Sequence, residues 1–265
     1  MVENSNIVLT GGSSGIGKAI LERLAAGAGN KILVACRSAE SISGFGENVI
    51  PFACDLSSQA GVDALFEKIP EVFDSVDVLI SNAGAPYYEK FGKTEWSRIE
   101  HIFNLNTVSH IYIYSKYLEY LNGKEGRLVY TISAMGEMAL PGYALYTATK
   151  FAMKGFQDAV RHEGKSNIKL TCVYPVSTNT NFFNVGGNGI KMEKPFPVQE
   201  PDAVADAVIK GIEKKKTSVY PCKIFRPSKV LMTVVPPVKA AYLATERKRL
   251  ERFVKRVEEA KENKK

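Results

Sequence analysis

The stretch Thr10-Gly11-Gly12-Ser13-Ser14-Gly15-Ile16-Gly17 joins an apolar run at residues 7–10 to a segment with helical periodicity. In that segment Ile16, Ile20 and Leu24 recur at every fourth position, which is the spacing of one face of an α-helix. A glycine-rich turn between a strand and a helix presents backbone N–H groups at the positive end of the helix dipole. The stretch therefore predicts an anion site of the kind that holds a phosphate group.

Two phosphate-binding motifs compete for this loop. Residues 12–18 have the spacing of a P-loop, but Ala19 stands where the Mg²⁺-binding Ser or Thr of that motif belongs. The dinucleotide motif is also incomplete, because Ile20 replaces its last glycine. The chain contains Gly11-x-x-x-Gly15-x-Gly17, and a purely structural glycine turn is a third interpretation of these residues.

The residue after the second predicted strand, 31–36, distinguishes between these motifs. Dinucleotide-binding folds place the residue that contacts the adenosine ribose about 20 positions after the loop, with an acid for a 2′-hydroxyl or Arg for a 2′-phosphate. Arg37 stands there, followed by Ser38, and no Asp or Glu occurs at 36–38. A solvated surface arginine is the alternative. The position at the carboxyl end of a strand favours NADP(H) over NAD(H) as the cofactor.

Short apolar runs alternate with helical segments, which is typical of a parallel sheet covered on both faces. The predicted strands are residues 7–10, 31–36, 49–54, 76–81, 127–133, 168–174 and 218–221. The predicted helices are residues 16–24, 59–69, 96–121, 147–163, 201–216 and 239–265. Residues 181–199 are rich in glycine and contain two prolines, so we expect a long mobile insertion there. The pattern predicts one α/β domain with a basic tail.

Composition and charge exclude several classes of protein. A chain of 265 residues, 45% hydrophobic and 24% charged, can bury one sizeable core. Residues 210–265 hold 17 basic and 6 acidic side chains, out of 35 and 28 in the whole chain, so the net charge of +7 comes from this end and does not indicate nucleic-acid binding. No apolar stretch approaches the roughly 20 residues of a membrane span, and no secretory signal is visible. We therefore predict a cytoplasmic protein.

The cysteines and histidines predict neither a disulfide framework nor a metal site. The four cysteines form no CxxC pair and three of them follow or lie within predicted strands, so we expect small buried thiols in a reducing compartment. They are Cys36, Cys54, Cys172 and Cys222. The three histidines have neither the spacing nor the neighbours of metal ligands. They are His101, His110 and His162.

A phenol and an ammonium group are predicted to share one helix face. Tyr146 and Lys150 are four residues apart, one helical turn. Ser133 ends the predicted strand 127–133, at the edge of a parallel sheet where ligands bind. A lone Tyr-x-x-x-Lys is usually a surface pair. Here it follows the glycine loop, Arg37 and Ser133 in that order, and this combination is far less common.

With these motifs the sequence resembles the short-chain dehydrogenase/reductase family, of the single-domain type with a TGxxxGxG loop and a Ser/YxxxK site. The resemblance covers about residues 5–222. We predict that residues 1–222 form the NADP-binding catalytic domain. It also rests on Cys54-Asp55-Leu56, Asn82-Ala83-Gly84, Asn106 and the segment from Pro175 to Thr180. The resemblance implies a doubly wound Rossmann fold with three α/β/α layers. Residues 223–265 would be a basic, helical C-terminal extension.

The resemblance also implies a role for each matched residue. The implied catalytic residues are Asn106, Ser133, Tyr146 and Lys150. The implied NADP(H)-binding residues are Gly11, Ser13, Ser14, Gly15, Ile16, Gly17, Arg37, Ser38, Asp55, Leu56, Asn82, Ala83, Gly84, Tyr146, Lys150, Pro175, Thr178 and Thr180. Asp55 would contact the adenine, and Pro175 and Thr180 would shape the nicotinamide pocket. One residue departs from the family pattern: Val176 follows Pro175 where the family usually has glycine, whose special conformations valine cannot adopt.

The implied reaction is hydride transfer between a nicotinamide and a carbonyl or secondary alcohol. Tyr146 would exchange the proton, and the Lys150 ammonium and the oxidised cofactor would lower the phenol pKa from its ordinary value of about 10. Ser133 would donate a hydrogen bond to the substrate oxygen. Asn106 resembles the asparagine that fixes a proton-relaying water, with Asn104 as a competitor and a structural asparagine as the alternative.

Mainly apolar residues flank the chemical groups and predict a hydrophobic substrate pocket, with core packing as the alternative. They are Tyr87, Tyr88, Met135, Met138, Tyr143, Phe182 and Phe183. We expect the substrate to be a bulky apolar carbonyl or alcohol that contacts Ser133, Tyr143 and Tyr146.

The tail allows three interpretations. Residues 230–238 are apolar but interrupted by Pro236-Pro237, and residues 239–265 predict a basic helix with a partial apolar stripe. The stripe is Leu243, Leu250, Phe253, Val254 and Val257. We favour packing on the protomer or on a partner subunit, over contact with an anionic membrane surface and over a solvated end. The resemblance implies a homodimer or homotetramer through helices 96–121 and 147–163.

Two other classes of function stay open. A non-catalytic NADP(H)-binding regulator would turn nothing over, and the complete set of Ser133, Tyr146 and Lys150 disfavours it. A P-loop nucleotide hydrolase would need Mg²⁺ and ATP, and Ala19 disfavours that class.

Overall fold

A parallel sheet of seven strands forms the middle layer of the computed structural model, which describes residues 2–164, 166–187, 189–190 and 192–263. In chain order the strands are β1 (Asn6–Thr10), β2 (Lys31–Cys36), β3 (Val49–Ala53), β4 (Val78–Ser81), β5 (Gly126–Thr131), β6 (Ile168–Val173), β7 (Ser177–Thr178), β8 (Val198–Gln199) and β9 (Ser218–Val219). The large sheet has the order β3-β2-β1-β4-β5-β6-β9, while β7 and β8 pair with each other. This is the doubly wound order of the Rossmann fold, so the predicted fold class is confirmed.

Helices cover both faces of the sheet. They are α1 (Gly15–Ala25), α2 (Gln59–Val72), α3 (Trp96–Phe103), α4 (Ser109–Leu121), α5 (Ala144–His162), α6 (Phe182–Gly186), α7 (Pro201–Glu213), α8 (Phe225–Val234) and α9 (Pro236–Glu262). Successive strand residues point to opposite faces. Ile7 and Leu9 therefore pack with α1 and α7, whereas Val8 between them packs with α2, α4 and α5.

Most predicted elements agree with the structure to within three residues at each end. The predicted helix 96–121 is the main exception, because a π-helical turn, Asn104–Val108, separates α3 from α4. The predicted strand 127–133 ends at Thr131, since Ser133 has a φ of 143°, outside the extended region. The insertion 181–199 is also corrected: it contains α6 and β8 as regular elements. Positions 188, 191, 264 and 265 lie outside the described residues.

The C-terminal helix α9 packs on the domain itself. Phe253 is only 5% exposed and its ring lies 4.9 Å from that of Tyr88. Glu193, in the insertion, accepts hydrogen bonds of 2.6 Å from Arg252 and from Arg256, and these bonds, with the Arg252 contact foremost, lower its pKa to about 2. The insertion and α9 are thereby joined. Within the described residues, no helix combines the length and the apolar character that crossing a bilayer requires.

Packing of α9 predicts that Phe253→Ala lowers the free energy of unfolding by about 3 kcal/mol, the lower end for removing a buried phenylalanine. Urea denaturation followed by circular dichroism measures the change. Val234→Ala on α8, where the side chain is 73% exposed, is the control and should stay within about 0.5 kcal/mol. Equal effects of the two substitutions would show that α9 is not docked through Phe253.

Candidate active site

A cleft of about 620 Å³ runs along the carboxyl edge of the sheet. All the residues predicted to bind NADP(H) line it, from the glycine loop to Thr180, together with Ser133 and Tyr143. Asn106, the fourth predicted catalytic residue, does not line it. Ligands of doubly wound folds bind at this edge, where the strand order reverses between β1 and β4.

Close backbone packing shapes the glycine loop. A Cβ on Gly17 would overlap the carbonyl oxygen of Gly11, and Gly11 itself has a φ of 70°, a conformation that favours glycine. Asn82, after β4, donates from Nδ2 to the carbonyl oxygens of Thr10 and Gly11, both at 3.2 Å. Oγ1 of Thr10 accepts the N–H groups of Asn82 and Ala83 in return. These bonds fasten the loop to the end of β4.

Arg37 and Asp55 line the cleft on the side of β2 and β3, beside the glycine loop. Arg37 is exposed directly after β2. Asp55 accepts hydrogen bonds from the N–H and the hydroxyl of Ser57, which lower its pKa, and the charge of Arg37 adds to this effect. The two groups thus stand at the cleft wall where the sequence predicts the adenosine part of the cofactor.

All four thiols are free, but they differ in burial. Cys36 and Cys172 are buried, whereas Cys54 and Cys222 are half-buried, so the expectation of four buried thiols is wrong for these two. Burial raises the pKa of Cys54 to about 11, which leaves this cleft-lining group a thiol at neutral pH.

Tyr146 and Lys150 meet in the cleft on the first turns of α5. Lys150 is 4% exposed; its Nζ donates to the carbonyl oxygen of Thr131 at 3.3 Å and lies 5.6 Å from the centre of the Tyr146 ring. Burial raises the pKa of Tyr146 to about 12, against the effect of its hydrogen bond with Ser133. Burial also lowers the pKa of Lys150 to about 8. In the chain alone the phenol pKa is thus raised, and the lowering expected from Lys150 together with the oxidised cofactor stays a prediction.

Ser133 is held in a sparsely populated backbone conformation, with φ 143° and ψ 155°. Such strain costs about 1–3 kcal/mol and persists where the surroundings impose it. Here the N–H of Ala134 donates to the carbonyl of Pro175, and the N–H of Gly136 donates to the carbonyl of Ser133. The N–H of Met135 donates to Oγ of Ser133, so the hydroxyl proton points away from this turn.

Asn106 lies in the π-helical turn and is completely buried. Its Oδ1 accepts the N–H of Ala85 at 2.7 Å, and its Nδ2 donates to the carbonyl of the same residue at 3.0 Å. The side chain therefore holds the loop after β4 behind the cleft wall, and its expected role in fixing a water stays a prediction. The competing Asn104 is half-buried and also lies outside the cleft.

Residues 5–187 match the model of the family described as short chain dehydrogenase. The chain belongs to the short-chain dehydrogenase family. It is 27% identical to 17-beta-hydroxysteroid dehydrogenase 13 of Rattus norvegicus, covering 83% of this chain and 75% of that protein. It is 29% identical to 3-ketodihydrosphingosine reductase of Bos taurus, covering 78% and 68%. The chain spans 59 to 75% of the length of the curated relatives that it matches.

A solved short-chain dehydrogenase from Burkholderia cenocepacia, in complex with NADP, has the same fold. Its TM-score is 0.68 at 25% identity, over 82% of this chain and 95% of that one.

In this chain Val176 does not adopt a backbone conformation with positive φ, which would favour glycine. The non-glycine residues with positive φ in the described chain are Asn4, Asn122, Ser133 and Lys215. Val176 is thus in a conformation open to any residue. Its carbonyl accepts the hydroxyl of Thr178 at 2.9 Å, and both residues line the cleft.

The apolar part of the cleft contains most of the predicted residues and some that sequence reasoning missed. Tyr87, Met135, Met138, Tyr143, Phe182 and Phe183 line it. Tyr88 does not, because it packs behind Tyr143, with ring centres 4.6 Å apart. The additional lining residues Phe196, Phe225 and Tyr242 come from the insertion and the tail. Two of them lie beyond the family resemblance, so no motif marked them.

His110 is a further residue whose location and contacts the sequence did not predict. It is buried beneath the end of β4, with Nδ1 2.6 Å from Oγ of Ser81 and Nε2 2.9 Å from the carbonyl oxygen of Ala83. Since a carbonyl only accepts, Nε2 carries the proton and Nδ1 accepts from the serine. Burial, helped by the charge of Lys150, lowers the pKa of His110 to about 3.

The neutral His110 predicts acid sensitivity. The unfolded chain binds a proton at this histidine below about pH 6.5, whereas the folded chain does so only near pH 3, so stability falls as the pH falls between these values. From pH 7 to pH 5 we expect the wild type to lose about 2 kcal/mol more than His110→Gln.

Urea titrations at the two pH values measure this difference. His162→Gln, at an exposed histidine, is the control and should keep the wild-type loss. If His110→Gln shows the same pH dependence as wild type, His110 is not held neutral by the fold.

Proposed function

We propose that this short-chain dehydrogenase transfers a hydride between NADP(H) and a carbonyl or secondary alcohol of a bulky apolar substrate. The observation that carries the proposal is the buried Tyr146 phenol, hydrogen-bonded with Ser133 and beside Lys150, in a cleft that a glycine-rich loop also lines. This is an arrangement for delivering one proton to a substrate oxygen.

The residues of the cleft fit a dinucleotide. The glycine loop leaves no room for a Cβ at Gly17 and presents the first N–H groups of α1, which suit a pyrophosphate. Oγ1 of Thr131 is buried and without a partner among the described residues, in the cleft beside Lys150. Lys150 would bind the nicotinamide ribose and Arg37 a 2′-phosphate. When bound, the nicotinamide supplies or accepts the hydride.

Proton transfer then depends on the chain's own groups. Because burial keeps Tyr146 protonated at neutral pH, its phenol donates the proton to a carbonyl oxygen that is being reduced. The Ser133 hydroxyl donates a second hydrogen bond to the same oxygen, where negative charge develops. The same phenol, once deprotonated, would accept the proton when the alcohol is oxidised.

The substrate class follows from the cleft wall. Met135, Met138, Phe182 and Phe183 give it an apolar surface, and the buried Tyr143 hydroxyl, which has no partner within the described chain, can bond to one polar group. The names of the rat and bovine relatives refer to a hydroxysteroid and to 3-ketodihydrosphingosine, and both support a bulky apolar substrate.

The predicted oligomer is part of the proposal. Val108 directly precedes α4, Leu118 lies on α4 and Phe151 lies on α5. Each of these side chains is at least 42% exposed. Apolar side chains in this position support association of two or four copies through these helices. The division of the chain at residue 222 and a cytoplasmic location stay predictions. The fold and the family match give no support to a P-loop hydrolase or a non-catalytic regulator.

Removing the phenol hydroxyl is the direct test of the proton donor. Tyr146→Phe should lower turnover at least ~100-fold with little change in NADPH affinity, because it removes a general acid and keeps the ring. NADPH consumption with a panel of apolar ketones measures the first quantity, and fluorescence titration measures the second. Tyr88→Phe, outside the cleft, is the control. Turnover of Tyr146→Phe equal to wild type would exclude Tyr146 as the donor.

Arg37 tests the choice of cofactor. Arg37→Asp should weaken NADPH binding by about 2 kcal/mol, roughly thirtyfold, and favour NADH relative to it, because a carboxylate repels a 2′-phosphate and accepts from a 2′-hydroxyl. Arg247→Asp makes the same charge change on α9 and should leave both affinities unchanged. A wild-type preference for NADH contradicts the assignment without any variant.

A further inference from the structure

The corner between α8 and α9 exposes apolar side chains where a helix usually exposes polar ones. We call residues 223–241 the α8–α9 elbow. Val230, Leu231 and Val234 are 63%, 50% and 73% exposed and lie within an arc of about 100° on α8. Val235 and Val238 continue this surface into α9. The inward side of α8 is occupied by Phe225, which is buried.

The charge around the elbow has one sign. Between Glu213 and Glu246 the sequence has seven Lys or Arg residues and no Asp or Glu. Lys223, Arg226 and Lys239 are exposed at the elbow itself, whereas Lys229 is paired with the buried Glu137. An apolar tip with a cationic rim is the pattern of a helix segment that lies in the interface of an anionic membrane.

The elbow adjoins the mouth of the cleft. Phe225, the first residue of α8, lines the cleft, and α9 returns to it at Tyr242, one helical turn after Val238. The hydroxyl of Tyr242 donates to the carbonyl of Phe196, whose ring is 63% exposed and also lines the cleft. Phe225 and Tyr242, which flank the exposed arc in the sequence, thus both reach the cleft.

We propose that the α8–α9 elbow docks on an anionic lipid bilayer, with its valine and leucine side chains among the lipid chains and its lysines at the phosphates. The cleft then opens towards the membrane, which suits the apolar substrate class of the proposed function. A second copy of this chain fits the elbow less well, because two elbows in contact would bring two cationic rims together. The apolar stripe of α9 around Phe253 takes no part, since it packs on the domain.

Sedimentation of the full chain with vesicles tests the proposal. The chain should bind vesicles containing about 30% phosphatidylglycerol and bind pure phosphatidylcholine at least tenfold more weakly, with release near ~0.5 M salt. Leu231→Ser/Val234→Ser should weaken binding at least about tenfold, since two apolar side chains leave the bilayer. Phe91→Ser/Val198→Ser, at exposed apolar residues outside the elbow, should bind like wild type.

A second pair of variants separates charge from apolar contact. Lys223→Gln/Lys239→Gln should bind about tenfold more weakly and with a shallower salt dependence, whereas Lys255→Gln/Lys261→Gln, at the far end of α9, should stay within about twofold. Melting temperature and NADPH binding check that each variant is folded, and because vesicle binding needs no turnover, its result is independent of the proposed function.

Three results would overturn the proposal. In the first, the wild-type protein does not bind anionic vesicles. In the second, the Leu231→Ser/Val234→Ser variant binds them as well as wild type does. In the third, wild type binds no vesicles and the particle mass measured by light scattering is lower for this variant than for wild type. The last result would assign the elbow to a second copy of the chain.

Discussion

The close approach of Gly17 to the carbonyl oxygen of Gly11 is the constraint on which the cleft depends. A Cβ at Gly17 would overlap that oxygen and lie 2.6 Å from Nδ2 of Asn82. Because the position has no side chain, α1 begins directly behind β1, and its first N–H groups face the point where the strand order reverses. Asn82 then joins the loop to the end of β4. The loop and the residues that follow β4 and β5 therefore share one sheet edge, where Tyr146 also lies.

Burial acts on the two chemical groups of this edge in opposite directions. Low solvent access disfavours a phenolate and an ammonium alike, so the pKa of Tyr146 rises to about 12 and that of Lys150 falls to about 8. Of these two pKa values, only that of Lys150 moves towards neutral pH. The Tyr146 phenol keeps its proton. Ser133 opposes the rise through its hydrogen bond, and its strained backbone places Oγ where that bond forms. In the chain alone, the protonation of the phenol thus follows from its burial.

Local patterns in the sequence were enough for most of the sheet and the helices, and the family resemblance for the residues that line the cofactor part of the cleft, because strand periodicity, glycine spacing and the Tyr-x-x-x-Lys step act over a few residues. What they missed depends on contacts between distant segments. The hydrogen bonds of the Asn106 amide with Ala85 depend on a π-helical turn that no spacing marks. The raised pKa of Tyr146 comes from the surrounding fold. Tyr242 reaches the cleft only because α9 folds back over it.

The tail shows most clearly why apolar content alone does not identify a role. Phe253 and Leu250 pack against Tyr88 and the glycine at 142, and Glu193 fixes this face of α9 through its arginine partners. The valines of the elbow have the same chemistry, yet they face solvent, where each exposed apolar side chain forgoes the free energy of burial. The stripe on α9 can be satisfied within one chain, whereas the surface of α8 points away from every element of the described fold that could cover it. A surface of this kind beside a substrate opening is best explained by an apolar partner outside the domain.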